Sequence, residues 1–312
     1  MQLHFLGTGA GMPSKERNTS ALMVKLLDEI GEMWLFDCGE ATQHQILRTS
    51  LKPRKVTKIF ITHLHGDHIF GLPGFLSSRS FQGGDEELMI FGPAGLQQWI
   101  ETTLALSKTH LTYPVKFVEV SEGMIYEDEQ FIVRAGELRH VVPCFGYRIE
   151  QKDLPGELLI EKAQALGVPK GPLLGQLKRG QDITLDSGVI VRATDVLAPP
   201  QKGFTLAILG DTKYCEEAIS LAQGADIVIH EATFDGSTID LAANYGHSTN
   251  IEAATVAKRS QARYLLLNHL SARFLPCDLP NFLAEAQEIF SQTYLTSDYA
   301  IFNWQNGELN RH

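Results

Sequence analysis

Four side chains able to bind a metal stand within six residues of one another. The run Phe60–Gly74 reads FITHLHGDHIFGLPG, and inside it His63, His65, Asp67 and His68 spell H-x-H-x-D-H. A lone histidine is commonly a surface residue or a satisfied core residue, but such crowding is not accounted for that way. Imidazoles and carboxylates are good ligands for zinc, and also for manganese or iron. The apolar stretch KIFIT brings them to the end of a buried strand, and IFGLPGFLSSRS after them is able to begin a helix. A strand-to-helix turn of this kind points His63 and His65 one way and Asp67 and His68 another. Ligands facing two directions suggest two metals rather than one.

A two-metal site needs further ligands, arriving at the ends of other strands. Three positions qualify: His140 in GELRHVVPCFGY, Asp211 at the end of TLAILGDT, and His269 at the end of RYLLLNHLS. Singly, each reads as a polar residue capping a strand. Their repeated placement beside the cluster favours ligation. Asp211 suits the space between two metals, because a carboxylate offers an oxygen to each.

These donors require a frame. The runs LHFLG, MWLFDCG, KIFITH, TLAILGD, ADIVIHE and RYLLLNH are apolar and end in polar loops. Strands are expected at Leu22–Leu27, Met33–Asp37 and Lys58–Thr62. Helices are expected at Glu40–Arg48, Ile251–Arg259 and Asp278–Phe290, with Thr249 or Asn250 capping the second and Asp278 the third. Continuously apolar strands belong to sheets covered on both faces, so helices should lie outside and the class is α/β. GTGAG at Gly7–Gly11 resembles a dinucleotide loop only loosely. MPSKERN follows it with a proline and no apolar helical pattern, so its glycines are expected to let a loop pass close to the site.

The chain has 312 residues, enough for one large domain or two ordinary ones, and a net charge of −10. That charge argues against a surface that binds nucleic acid everywhere, but it leaves room for local basic patches. No apolar run approaches the ~20 residues of a membrane span, and MQLHFLGTGAG reads as a strand rather than a leader. The four cysteines are scattered without a C-x-x-C pair, which points to a reduced cytoplasm. Residues 151–203 break the rhythm. They contain LGVPKGPLLGQLKRG and LAPPQKG, too rich in Gly and Pro for sheet core, and read as an insertion projecting from the body. Gly167–Gly180 holds Lys170, Lys178 and Arg179 and no acid. It is either a solvated excursion or a basic arm that grips phosphate.

H-x-H-x-D-H followed by isolated His, Asp and His resembles the metallo-β-lactamase superfamily over nearly the whole chain. The resemblance implies a single domain, 1–312, folded as an αβ/βα sandwich of two mixed sheets flanked by helices, with the arm inserted. It implies that His63, His65 and His140 hold one zinc, that Asp67, His68 and His269 hold another, and that Asp211 is shared. Asp37 in LFDCGEA would support the ligands from behind. Further words narrow the resemblance to the ribonuclease Z family: PSKERN at Pro13–Asn18, HEAT at His230–Thr233, HST at His247–Thr249, and the arm between His140 and Asp211. That family removes the 3′ trailer of precursor tRNA, leaving a 3′-hydroxyl on the tRNA and a 5′-phosphate on the trailer.

The narrower resemblance implies two Zn2+ per subunit, a homodimer, and roles for particular residues. Asp67 takes the proton of the attacking water. His247 protonates the leaving ribose oxygen, and Glu231 orients His247 and raises its pKa. Lys15, Arg17 and Asn18 lie by the acceptor end, Ser271 and Arg273 by the scissile phosphate, and Lys170, Lys178 and Arg179 on the tRNA elbow. The rival reading is a hydrolase of the same fold acting on a small thioester, lactone or phosphodiester, which needs neither the arm nor the PSKERN loop. A scaffold that had lost its metals should lack ligands, and all seven are present. A di-iron redox protein would usually have extra acidic ligands and a flavin partner domain.

Overall fold

The computed structural model describes residues 1–312. They form two compact units, one of Met1–Tyr126, Val133–Ile149 and Thr205–His312, the other of Glu127–Ile132 and Glu150–Phe204.

The first unit is built on two mixed sheets flanked by helices. One sheet orders its strands Glu308–Arg311, Ile301–Gln305, Gln2–Gly7, Ala21–Leu26, Glu32–Phe36, Val56–Phe60, Leu88–Gly92 and Val115–Glu119. The other contains four successive parallel strands, Thr293–Leu295, Tyr264–Asn268, Ile227–Glu231 and Thr205–Ile208, followed by Cys144–Gln151, Phe131–Leu138 and Gly123–Glu127.

Strand side chains alternate between faces, and the sequence uses both. Trp34, Phe36, Phe60 and Phe91 point between the sheets. Phe60 stacks on Phe36 at 4.8 Å and on Phe91 at 4.6 Å, and meets Tyr147 of the facing sheet at 5.3 Å. Their neighbours Met33, Leu35, Ile59 and Ile90 point outward, onto Leu72, Phe75 and Leu76 of the helix Leu72–Phe81. On the second sheet, Val228, Leu265 and Leu267 pack on Ala253, Ala254 and Ala257 of the helix Asn250–Arg259. Alanines there let the helix approach the sheet closely.

The expected elements occur with shifted ends. Lys58–Thr62 is a strand only to Phe60, because the Thr62 amide donates to the Asp37 carboxylate at 2.8 Å instead of continuing the ladder. The helix expected from Glu40 begins at Thr42, since Ala41 adopts φ 59°. Of the two expected caps, Thr249 and Asn250, it is Thr249 that caps the helix: its hydroxyl accepts from the Glu252 amide at 3.1 Å, and Glu252 accepts from the Thr249 amide at 2.9 Å. Such a box contributes about 1 kcal/mol. Asp278 does not cap Leu279–Ile289. Its own backbone is helical, and its carboxylate accepts from the Leu275 amide at 2.8 Å instead.

The second unit has its own small core, around Ala163, Leu177, Ile183 and Val196. Its glycines and prolines delimit short helices. Pro172 opens Pro172–Lys178 at the first turn, where its missing N–H costs nothing, and Gly180 follows the helix at φ 78°. No helix of the chain is long and apolar enough to cross a membrane.

Candidate metal centre and its surroundings

The donors gather where strands of the first unit end. His63, His65, Asp67 and His68 follow Val56–Phe60, Asp211 follows Thr205–Ile208, His269 follows Tyr264–Asn268, and His140 follows Phe131–Leu138. In open α/β sheets the carboxyl ends of strands are where ligands bind, because loops there carry side chains on a fixed base.

The seven donors fall into two groups, His63, His65, His140 and Asp211 on one side and Asp67, His68 and His269 on the other, with ligating atoms close together in each, and His247 stands within the same reach of Asp211 and His269. His65 Nδ1 lies 3.0 Å from His63 Nε2 and 3.3 Å from His140 Nε2. His68 Nε2 and His269 Nε2 are 3.2 Å apart. Asp67 Oδ2 is 3.3 Å from His269 Nε2 and 3.5 Å from His68 Nε2. Asp211 Oδ2 stands between the groups, 3.7 Å from His63 Nε2 and 3.5 Å from both His68 Nε2 and His269 Nε2.

These spacings fit a metal. Ligands about 2.0–2.1 Å from one tetrahedral zinc stand roughly 3.3 Å from each other. Four of the five remaining ring nitrogens are held from behind. His68 Nδ1 donates to Asp37 Oδ2 at 2.7 Å, and His140 Nδ1 donates to the Gly246 carbonyl at 2.7 Å. His269 Nδ1 pairs with the Thr233 hydroxyl at 2.8 Å, and His63 Nδ1 with the Thr62 hydroxyl at 3.0 Å. Such outer bonds fix tautomer and ring orientation, leaving the inner nitrogens as lone pairs aimed at common points. Burial pushes the His63 imidazole down to about 2, so it is the neutral donor a metal requires. Burial opposes ionisation of Asp67, but the His269 and His68 rings beside it hold its carboxyl well below the usual range.

Beside Asp211 lies a second pair. His247 Nδ1 donates to Glu231 Oε1 at 2.9 Å. Glu231 also accepts from the amides of Thr212, Thr233 and Ser248. Burial would lower the His247 imidazole, but the Glu231 carboxylate prevails and lifts it to about 9. With Nδ1 committed to Glu231, Nε2 is the position left to present a proton.

The loop after the first strand reaches the centre, with the Gly11 amide donating to Asp67 Oδ2 at 2.7 Å. Arg17 and Asn18 do not face outward as free phosphate contacts. The Arg17 guanidinium donates to the Thr8 hydroxyl at 2.7 Å and the Thr296 carbonyl at 2.9 Å, and the Asn18 amide group donates to the Glu40 carbonyl at 2.7 Å. Both fasten the loop, and only Lys15 of the three stands exposed on it. Arg273 is exposed, with Nε donating to the Ser271 hydroxyl at 3.1 Å. Lys170, Lys178 and Arg179 are exposed in the second unit.

Two supports escaped the sequence reading. Asp298 accepts from the Thr8 amide and hydroxyl at 3.0 and 2.7 Å, the Asn18 amide at 2.7 Å and the Gln45 side chain at 2.9 Å, so it pins both ends of the loop. A single acid in TSDYA carries no pattern that marks it. Thr233 lies inside HEAT, yet nothing in that word ties its hydroxyl to His269.

A two-sheet α/β sandwich with a His/Asp cluster beyond its strand ends defines a metal-binding protein of the metallo-β-lactamase fold. The metallo-β-lactamase fold protein YhfI of Bacillus subtilis matches at a TM-score of 0.65 and 20% identity, over 96% of this chain and 98% of that one. The ribonuclease Z of Anoxybacillus flavithermus is 53% identical over 303 residues, 97% of this chain and 97% of the relative. The crystal structure of human tRNase Z, short form, matches at a TM-score of 0.69 and 32% identity, over 97% of this chain and 99% of that one. The chain belongs to the ribonuclease Z family. A family model described as anti-Pycsar protein Apyc1 matches residues 1–150, which include the H-x-H-x-D-H run and His140.

Proposed function

We propose that this chain is the endoribonuclease that removes the 3′ trailer of precursor tRNA, with His63, His65 and His140 holding one Zn2+, Asp67, His68 and His269 another, and Asp211 shared between them. The observation that carries this reading is the convergence of all seven donors in two groups, with the His247–Glu231 pair at their edge. Two such cations, when bound, supply Lewis acidity toward water and toward phosphoryl oxygens.

The chain's own residues supply the rest. The Asp67 carboxylate, held in place by the Gly11 amide, accepts the proton of the attacking water. The Nε2 proton of His247 goes to the leaving ribose 3′ oxygen, which would otherwise depart as an alkoxide. Glu231 fixes the ring and keeps it charged. Arg273 and Ser271 meet the scissile phosphate, and Lys15 meets the acceptor end. Arg17 and Asn18 serve that contact indirectly, by setting the loop. Residues 151–203 form the arm, whose Lys170, Lys178 and Arg179 track phosphates of the tRNA elbow by charge. A homodimer, in which one subunit's arm serves tRNA bound to the other, belongs to the same proposal. So does a cytoplasmic setting, in keeping with four free cysteines.

The test is cleavage of a 3′-extended precursor tRNA by zinc-loaded protein, with both product ends mapped. The expected products are a tRNA with a 3′-hydroxyl and a trailer with a 5′-phosphate. Turnover of a thioester, lactone or small phosphodiester without RNA cleavage would make the protein a small-molecule hydrolase.

A further inference from the structure

Next to His247 stands a group of rings that the proposed hydrolysis does not use. Phe234 is buried with its ring 6.0 Å from that of His247. Over its face lies the Arg273 guanidinium, with Cζ 4.7 Å from the ring centroid. On Phe234 also rests Tyr245, nearly parallel at 15° and 6.3 Å. Tyr245 is the last residue of the helix Ile239–Tyr245 and is 60% exposed. The next two residues fix its place: Gly246, at φ 77°, gives its carbonyl to His140, and His247 comes after it.

An exposed tyrosine has no evident role in the fold. It presents an open π-face two residues from the proton donor, on a ring that also carries a guanidinium. A π-face and a forked cation are the two chemistries that bind a nucleotide, one for its base and one for its phosphate. The proton of His247 goes to the ribose 3′ oxygen that leaves. The base on that same ribose is therefore the one nearest to the His247 side of the cut. We infer that Tyr245 is the stacking platform for the base of the last nucleotide kept on the tRNA, while Arg273, steadied by Phe234 and Ser271, meets the adjoining phosphate. Stacking accepts any base, so this subsite fixes position and does not select sequence.

The inference rests on the proposed tRNA cleavage, and the experiment separates the two. Zinc-loaded wild type, Tyr245→Ala and Tyr245→Trp are compared on precursor tRNA with an intact or an abasic last nucleotide, and on bis(p-nitrophenyl) phosphate. For intact substrate, Tyr245→Ala should raise KM about tenfold, the size of one base–aromatic stack, with a smaller change in kcat, and Tyr245→Trp should restore most of it. Wild type should show the same penalty on the abasic substrate, and Tyr245→Ala should add nothing further, as for two partners of one contact. A Tyr245→Ala variant with wild-type KM would overturn the inference. So would an equal loss on intact and abasic RNA, or the same factor lost on bis(p-nitrophenyl) phosphate, which would make the ring a support of the metal centre. Wild type that leaves precursor tRNA uncut would remove the function reading itself, whereas cleavage indifferent to the missing base removes only the stack.

Discussion

The metal centre and the second unit handle charge in opposite ways. At the centre, most charged or ligating atoms are fixed by neighbours: His68 by Asp37, His140 by Gly246, His269 by Thr233, Asp67 by Gly11, His247 by Glu231. In the second unit, Lys170, Lys178 and Arg179 stand exposed, without an ion pair. Chemistry at one phosphorus atom requires donors held to fractions of an ångström, and interlocked hydrogen bonds achieve that. Attraction to a phosphate backbone requires only charge at the right distance. A change at the centre should therefore spread through its neighbours, whereas changes among the exposed cations should act one by one.

The largest effect should follow Asp211→Ala. This carboxylate lies within 3.7 Å of His63 and 3.5 Å of His68 and His269, so both ligand groups lose a member at once. Loss of an outer hydrogen-bond partner alone costs about 10–100-fold in metal affinity or activity, and loss of a shared ligand should exceed that. Elemental analysis should find less than one zinc per chain, and precursor tRNA cleavage should fall by more than about a hundredfold. Retention of one tightly held zinc and cleavage within tenfold of wild type would mean that the two groups are independent sites.

A smaller effect tests how far the interlocking extends. Asp298 touches no ligand, yet it pins Thr8 and Asn18 at the two ends of the loop whose Gly11 amide holds Asp67. Asp298→Ala leaves those donors without their acceptor. If the loop transmits the change, kcat/KM should fall by roughly tenfold to a hundredfold, the cost of a displacement near 1 Å at a reacting group. A lower melting temperature with unaltered kcat/KM would confine the interlocking to the ligands and their direct partners.

The same contrast explains what could be read from sequence. The seven donors were legible because histidines and aspartates at strand ends are unusual and form a pattern. The cap of the helix Asn250–Arg259 was legible only as a choice between Thr249 and Asn250, and the structure gives it to Thr249. Asp298 was not, because its four hydrogen bonds reach residues 8, 18 and 45, and no local spacing records a contact across the chain. Nor was the contact of Glu231 with His247, which only the family resemblance supplied. The resemblance places Arg17 by the acceptor end, and no sequence pattern shows that its guanidinium turns inward to Thr8 and Thr296. In residues 151–203 the glycines and prolines speak against sheet core, and several of them mark the ends of short helices around a small core.

The smallest effects belong to the exposed cations. Lys170→Gln, Lys178→Gln and Arg179→Gln each remove one charge that no neighbour in the structure uses. If each meets one phosphate, each should lower the slope of log K against log salt by about 0.7–0.9, the counterions released by a single contact. Affinity for precursor tRNA should weaken uniformly across tRNA species, since a phosphate carries no sequence. The triple variant should show the sum of the three slope changes, because well-separated exposed charges share no partner. Binding measured at several salt concentrations decides the matter. A triple variant that loses much more than the sum would show these cations interlocked as the metal ligands are. An unaltered slope would leave residues 151–203 without a charge-based hold on tRNA.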